Sequence, residues 1–240
     1  MLGNRTKAAI LALALVVLAV EGYLVYRYYA ALPSPPGVQE ASQRDPETFE
    51  ETTSEEPANR ANAFVHRATP GTIVDNSTYL DYPPINNNPD AVLLVTRLRG
   101  PDGDATGDAH PTGVWYDANR GGSWAIFNQD LAPIFEGATY SVVALEEPGE
   151  AVFVHRATPD NTAANATYVD DPSTNERPDA FLAVTPNWNP GGGAGTYDSH
   201  PVGVRYDAEE ERWTIFNLDL APMPEGAAFD VAVVPGTPTG

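Results

Sequence analysis

Cysteine is absent from the 240 residues, which rules out disulfides, thiolate metal sites and thiol nucleophiles. Lysine is nearly absent as well: Lys7 stands alone against twelve arginines. The chain carries 33 acidic residues and a formal net charge of −20. Residues 61–240 hold 25 of those acids against 8 arginines and no lysine, a net of −17. The part of the chain rich enough in apolar residues to fold therefore carries the negative field. Such a surface repels phosphate backbones and anionic headgroups, so nucleic acid is not an expected partner. Solubility, for instance in a salty habitat, accounts for this charge, with recruitment of cations or basic partners as the alternative.

Several chemical signatures are missing too. No Gly-x-Ser-x-Gly elbow occurs, and the run Gly191-Gly192-Gly193 has no Gly-Lys-Ser/Thr and no helix after it, so neither a hydrolase elbow nor a phosphate loop is present. No H-x-H or H-x-x-x-H pair occurs among the four histidines. Outside residues 8–29 no window is long enough for a helix. No cofactor is expected.

The N-terminus carries the one long apolar run. Ala8 to Tyr26 reads AAILALALVVLAVEGYLVY, a helix of about 29 Å against a hydrocarbon core of ~30 Å. Arg5 and Lys7 precede it, and Tyr23, Tyr26, Tyr28 and Tyr29 form an interfacial group at its far end. The sequence thus predicts a short inside tail (1–7), a transmembrane signal-anchor helix (8–29) and an exterior remainder. A cleaved signal peptide, ending near Val17-Leu18-Ala19, is the competing reading. Cleavage there would leave an apolar, tyrosine-rich new terminus, which favours the anchor. Either way the modules lie outside, at the cell membrane or secreted. Residues 30–60, rich in Pro, Glu, Ser and Thr, cannot bury enough surface to fold and read as a disordered acidic linker.

From residue 61 onward the chain is written twice. AFVHRATP at 63–70 returns as VFVHRATP at 152–159, and PDAVLLVT at 89–96 returns as PDAFLAVT at 178–185. HPTGVWYDA at 110–118 returns as HPVGVRYDA at 200–208, and WAIFNQDLAP at 124–133 as WTIFNLDLAP at 213–222. This is a duplication with a period of about 89 residues. It predicts β-module one over 61–147, β-module two over 148–236 and a short tail at 237–240. Within each module short segments rich in β-branched and aromatic residues alternate with Pro, Gly, Asn and Asp clusters. Strands are expected near 63–68, 77–81, 91–98, 112–117, 124–128 and 139–145. The fold class expected is all-β: two tandem homologous antiparallel sandwich or barrel-like modules.

Alternation places Phe64, His66 and Ala68 on one face of the first strand, and Phe153, His155 and Ala157 likewise. A histidine sharing a face with phenylalanine reads as a structural, hydrogen-bonded core-edge residue. The sharper reading pairs His66 with His110 and His155 with His200, adding a carboxylate such as Asp117 or Asp207 to hold zinc or a related ion. Asp130 and Asp219 close the tryptophan strands, where Asn and Asp most simply cap a turn; they could instead bind a sugar hydroxyl or an ion. Asp102 to Asp108 resembles the start of a calcium loop, but Gly113 occupies the twelfth position where a bidentate Glu is required. Asn76 and Asn165 head glycosylation triplets that serve equally well as turn residues. Trp115, replaced by Arg205 in the second copy, reads as exposed, and with Tyr116 and Trp188 would form a stacking surface.

The strings TPNWNPGG, HPVGVRYDA and WTIFNLDLAPMPEGAAF resemble a family of secreted or surface-exposed prokaryotic repeat modules patterned N-W-N-P-G, H-P-x-G-V-x-Y, W-x-I-F-N-x-D and M-P-x-G-A-x-F. Both modules are covered. Module one departs with Arg97-Leu98-Arg99-Gly100 in the N-W-N-P block and Ile134-Phe135 for Met-Pro. The resemblance implies no activity and assigns no catalytic residue. The expected function is a membrane-anchored, extracytoplasmic, non-catalytic binding or structural module contacting a cell-surface glycan or a protein. A hydrolytic enzyme using the repeated histidines, metal-assisted in one form, is the alternative, and a plain spacer the third.

Overall fold

A computed structural model describes residues 62–98 and 110–234. The expected anchor helix, the acidic linker, the calcium-like loop at Asp102–Asp108 and the C-terminal tail lie outside the described residues.

The described chain is all-β apart from two short 3-10 turns, Pro83–Ile85 and Pro190–Gly192. Module one contains β1 (Asn62–Arg67), β2 (Ile73–Val74), β3 (Ser77–Tyr79), β4 (Val92–Leu98), β5 (Thr112–Asp117), β6 (Ser123–Asn128) and β7 (Thr139–Leu145). Module two repeats them as β8 (Val152–Arg156), β9 (Thr162–Ala163), β10 (Ala166–Tyr168), β11 (Phe181–Pro186), β12 (Val202–Asp207), β13 (Arg212–Asn217) and β14 (Ala228–Val234). Each module is two antiparallel sheets. One has three strands, ordered β1-β7-β4 or β8-β14-β11; the other has four, ordered β2-β3-β6-β5 or β9-β10-β13-β12. The short strands β2 and β9 were beyond the reach of alternation, because two residues cannot display a period of two. They fold back through Asp75 and Ala164, both at positive φ (50° and 52°).

The period-2 pattern fills the space between sheets. Phe64 and His66 turn inward from β1 while Val65 and Arg67 face out. Module one packs around fully buried Trp124, Ile126, Tyr140 and Val142; module two packs around Ile215, Phe229 and Val231. The β5–β6 hairpin sets Tyr116 edge-on against Trp124 at 5.6 Å, and β12–β13 repeats this with Tyr206 and Trp213 at 5.7 Å. The module-one turn needs Gly122: at φ 67° it lies so close to Asn87 and Tyr116 that a Cβ would fall 2.6 Å from both side chains.

The inward histidines are held by threonines. His66 Nε2 and His155 Nε2 each lie 2.8 Å from a hydroxyl, Thr78 and Thr167. Thr167 donates its own proton to Asn161 Oδ1, and Thr78 donates to Thr72 Oγ1. Each threonine therefore accepts from an Nε2–H, so both imidazoles act as donors there. Burial lowers the pKa of both, that of His155 to about 4.

Because His155 titrates lower in the folded than in the unfolded chain, the unfolded chain takes up its proton first as pH falls. The contribution of His155 to stability is complete above about pH 6.5 and drains between there and about pH 4, by on the order of 3 kcal/mol. Urea unfolding at pH 7 and pH 4.5 should show a steeper acid loss for wild type than for His155→Gln. Equal losses would disprove the assignment.

Candidate functional site

The two modules meet along one side of module one, where two strands end their sheets. β4 is the edge of β1-β7-β4, and β5 is the edge of β2-β3-β6-β5. A sheet edge presents N–H and C=O groups that need partners. Module two supplies them. The outer face of β8-β14-β11 lies against β4: the Leu93 N–H donates to Asp230 Oδ2 at 2.8 Å, and the Val95 N–H to Thr185 Oγ1 at 2.9 Å.

The chain leaving β11 then runs along β5. Asn187 forms a parallel bridge with Val114, and the Trp188 N–H donates to the Val114 carbonyl at 2.9 Å. The Asn189 side chain imitates a strand. Its Oδ1 accepts the Tyr116 N–H and its Nδ2 donates to the Tyr116 carbonyl, both at 2.8 Å. Asn187 holds the loop to its own module by donating to Asp230 Oδ1 at 2.9 Å. Asp230 thus accepts one bond from each module. Its complete burial pushes its carboxyl up to about 7, against these two donated bonds.

Trp188 is the plug of this loop. Its ring meets Trp115 edge-on at 6.0 Å and Tyr197 at 5.5 Å. Gly195 lies flat upon it, so close that a Cβ there would fall 2.3 Å from the ring. The loop closes on module one through Gln129, whose Oε1 accepts the Asp198 N–H and whose carbonyl accepts the Ser199 hydroxyl. Asp198 is buried. Its Oδ1 accepts from Asn217, its Oδ2 has no partner among the described residues, and burial pushes its carboxyl up to about 6.

The expected site residues distribute as follows. Trp115 and Trp188 do come together, but as parts of a fastened seam. Trp115 is half-buried rather than exposed, since it packs on Trp188 and Tyr79 and donates to Ser77. The expected histidine pairs do not form. His66 and His155 bond to threonines, whereas His110 and His200 bond through Nδ1 to Asp130 and Asp219 at 2.5 and 2.7 Å. Those aspartates also cap the turn before Leu-Ala-Pro, each Oδ1 accepting from Ala132 or Ala221. Bonds from His200 and from the Ala221 N–H hold Asp219 below the usual carboxylate range. Asp130 is held low as well: burial raises it, and the His110 and Ala132 bonds more than offset that. Asp117 and Asp207 accept tyrosine hydroxyls, from Tyr79 and Tyr168, and close hairpin turns. No group of three His, Asp or Glu able to hold an ion occurs among the described residues. Asn76 and Asn165 spend their side-chain N–H groups on the carbonyls of Asn128 and Asn217.

Sequence reasoning missed Asn187, Asn189, Asp230, Asp198 and Gln129. A signal was present: Asp230 stands where module one has Ser141, and Gln129 where module two has Leu218. Seam residues are among those at which the two copies disagree.

The family described as a domain of unknown function (DUF7452) matches the chain twice, over residues 54–144 and 119–233. The chain belongs to that family and carries its domain in tandem. No curated protein and no solved structure matches it.

A carboxylate pushed up by burial weakens the fold as pH rises. Between about 3.8 and about 6 the unfolded chain loses the Asp198 proton first, at a cost on the order of 3 kcal/mol. Asp198→Asn keeps the acceptor for Asn217 and removes the charge. Urea unfolding should find it more stable than wild type at pH 8 and close to wild type at pH 4; a variant less stable at pH 8 refutes this account.

Proposed function

We propose that this chain is a membrane-anchored exterior protein in which the family's Asn-Trp-Asn-Pro loop is a module-to-module fastener. The tandem modules then act as one non-catalytic structural and binding unit. The observation that carries this reading is where the loop's side chains go. Asn189 completes the edge of β5, Trp188 is wedged against Trp115, and Asn187 joins Asp230, which itself caps β4. The residues that make the motif recognisable are committed to holding a neighbouring module.

The histidines support the same reading. Each is engaged by a threonine or an aspartate in bonds that pin strands and corners. The acidic exterior and the N-terminal apolar run support a position outside the membrane, at the end of a spacer, in contact with a protein or a cell-surface glycan.

A fastener makes the two modules unfold together. Wild type should give a single calorimetric transition. Asn189→Ala strands the Tyr116 N–H and carbonyl at a cost of about 2–4 kcal/mol and should split the transition in two. One unshifted transition in the variant would reject the fastener. The absence of cysteine gives a clean test of topology. Ser42→Cys should react with a membrane-impermeant maleimide in intact cells and stay with the membrane after an alkaline wash. Labelling only after lysis would place the modules inside.

A further inference from the structure

Both modules have the edge that the fastener closes, yet among the described residues it is closed in only one of them. By register, Leu182 and Val184 on β11 stand where Leu93 and Val95 stand on β4; Val204 and Tyr206 on β12 stand where Val114 and Tyr116 stand on β5. Among the described residues no loop or side chain bonds to this second edge from outside its own sheets.

The side chains along it record the difference. Val92 is 0% exposed, but Phe181 at the same place is 68% exposed. Leu145 is 7% exposed and Val234 59%; Gln129 is 2% exposed and Leu218 54%. At the last pair the polar residue is the buried one and the apolar residue the exposed one. An open edge flanked by Phe181, Val234 and Leu218 is a surface that soluble proteins avoid unless something covers it.

Part of the complementary surface is also exposed. Module two meets module one with the outer face of β8-β14-β11, carrying Val154, Thr185 and Asp230. The same face of module one, on β1-β7-β4, carries Val65, Thr96 and Ser141, with Leu98 at the position of Asn187. Val65 is 64% exposed. The two free surfaces have changed in the same sense. Within the chain, Asp230 and Asn187 on one side and Asp198 against Gln129 make a polar seam. On the free pair, Ser141 and Leu98 replace the polar fasteners, and Leu218 replaces Gln129. What is left over is less polar than the seam within the chain.

We propose that these surfaces are the two halves of one interface: the β11–β12 edge of one copy receives the β1-β7-β4 face of a second copy, repeating between chains the contact made within each. The contact is heterologous, so it propagates head to tail, into an open row or into a ring where the rotation closes. At the centre of the receiving edge Arg205, over the Phe216 ring at 5.5 Å, stands in place of Trp115. The net charge of −17 on residues 61–240 opposes association, so screening by salt favours it. This inference rests on the fastener reading. The tests are separable, because splitting of the calorimetric transition reports on the seam within a chain and sedimentation reports on contact between chains.

The decisive experiment is sedimentation velocity of the full chain in detergent, at low and high salt. Wild type should grow in size with concentration and with salt, past two chains per particle. Val65→Glu and Phe181→Glu each change an exposed side chain and leave one surface intact. Each alone should stay at one chain, and their equimolar mixture should stop at two. Wild type that remains single at every concentration and salt overturns the proposal. So does a mixture that fails to pair, a single variant that still associates, or growth that neither substitution affects. A peptide of residues 185–200 that binds saturably to a non-associating wild type would instead assign the edge to a partner carrying an Asn-Trp-Asn loop.

Discussion

A β-strand at the margin of a sheet has backbone groups on one side with nothing to bond, and a two-sheet sandwich has several such margins. In this protein two of them, β4 and β5, lie on the same side of module one, and the organisation of the pair of modules follows from how they are satisfied. Side chains do most of the work. Asp230 and Thr185 accept N–H groups from β4, and the Asn189 amide presents to β5 the donor and acceptor of a peptide group. A short polar loop can thereby finish a sheet without contributing a full strand. Buried backbone groups are costly to leave unpaired, so these few contacts bind the modules out of proportion to their number.

Burying Asp230 is costly, and its surroundings show how the cost is met. Two donated bonds, from Asn187 in its own module and from the Leu93 backbone in the other, reach its two oxygens. A carboxylate in that position is satisfied only while both modules are in place. This makes it a specificity element: an apolar residue there could pack against β4, but would not select the Leu93 N–H or orient Asn187. Ser141, its counterpart, shows that the fold of one module does not need the carboxyl group.

Much of the fold was legible because it rests on local rules. The alternation in Phe64-Val65-His66-Arg67 set the faces of β1, since a period of two survives where one face is buried, whereas the Trp-Ala-Ile-Phe run marked β6 as a continuous apolar strand buried on both faces. The seam was not legible for a reason visible in Trp115. Its replacement by Arg205 suggested a position that tolerates anything, hence exposure. The two copies in fact sit in different environments, Trp115 beneath a loop and Arg205 with none over it among the described residues, so disagreement between copies reported unequal neighbours. The histidine pairing failed on related grounds. Recurrence marked all four histidines as belonging to the fold, but only three-dimensional proximity could show that each pairs with a threonine or an aspartate.

The position of Asp230 along the chain also sets an order of events. It lies on β14, the last strand, whereas the edge it caps lies on β4, the fourth. The loop that closes β5 includes Gly191, Gly192 and Gly193, residues that lose the most conformational freedom on ordering. Module one can complete its sheets as it emerges, but β5 stays bare until the loop after β11 has been made, and the Leu93 N–H of β4 until nearly all of module two has. The interval between those moments is when the growing chain is most open to pairing with the wrong strand, and it lengthens with every residue inserted between Leu98 and Asp230.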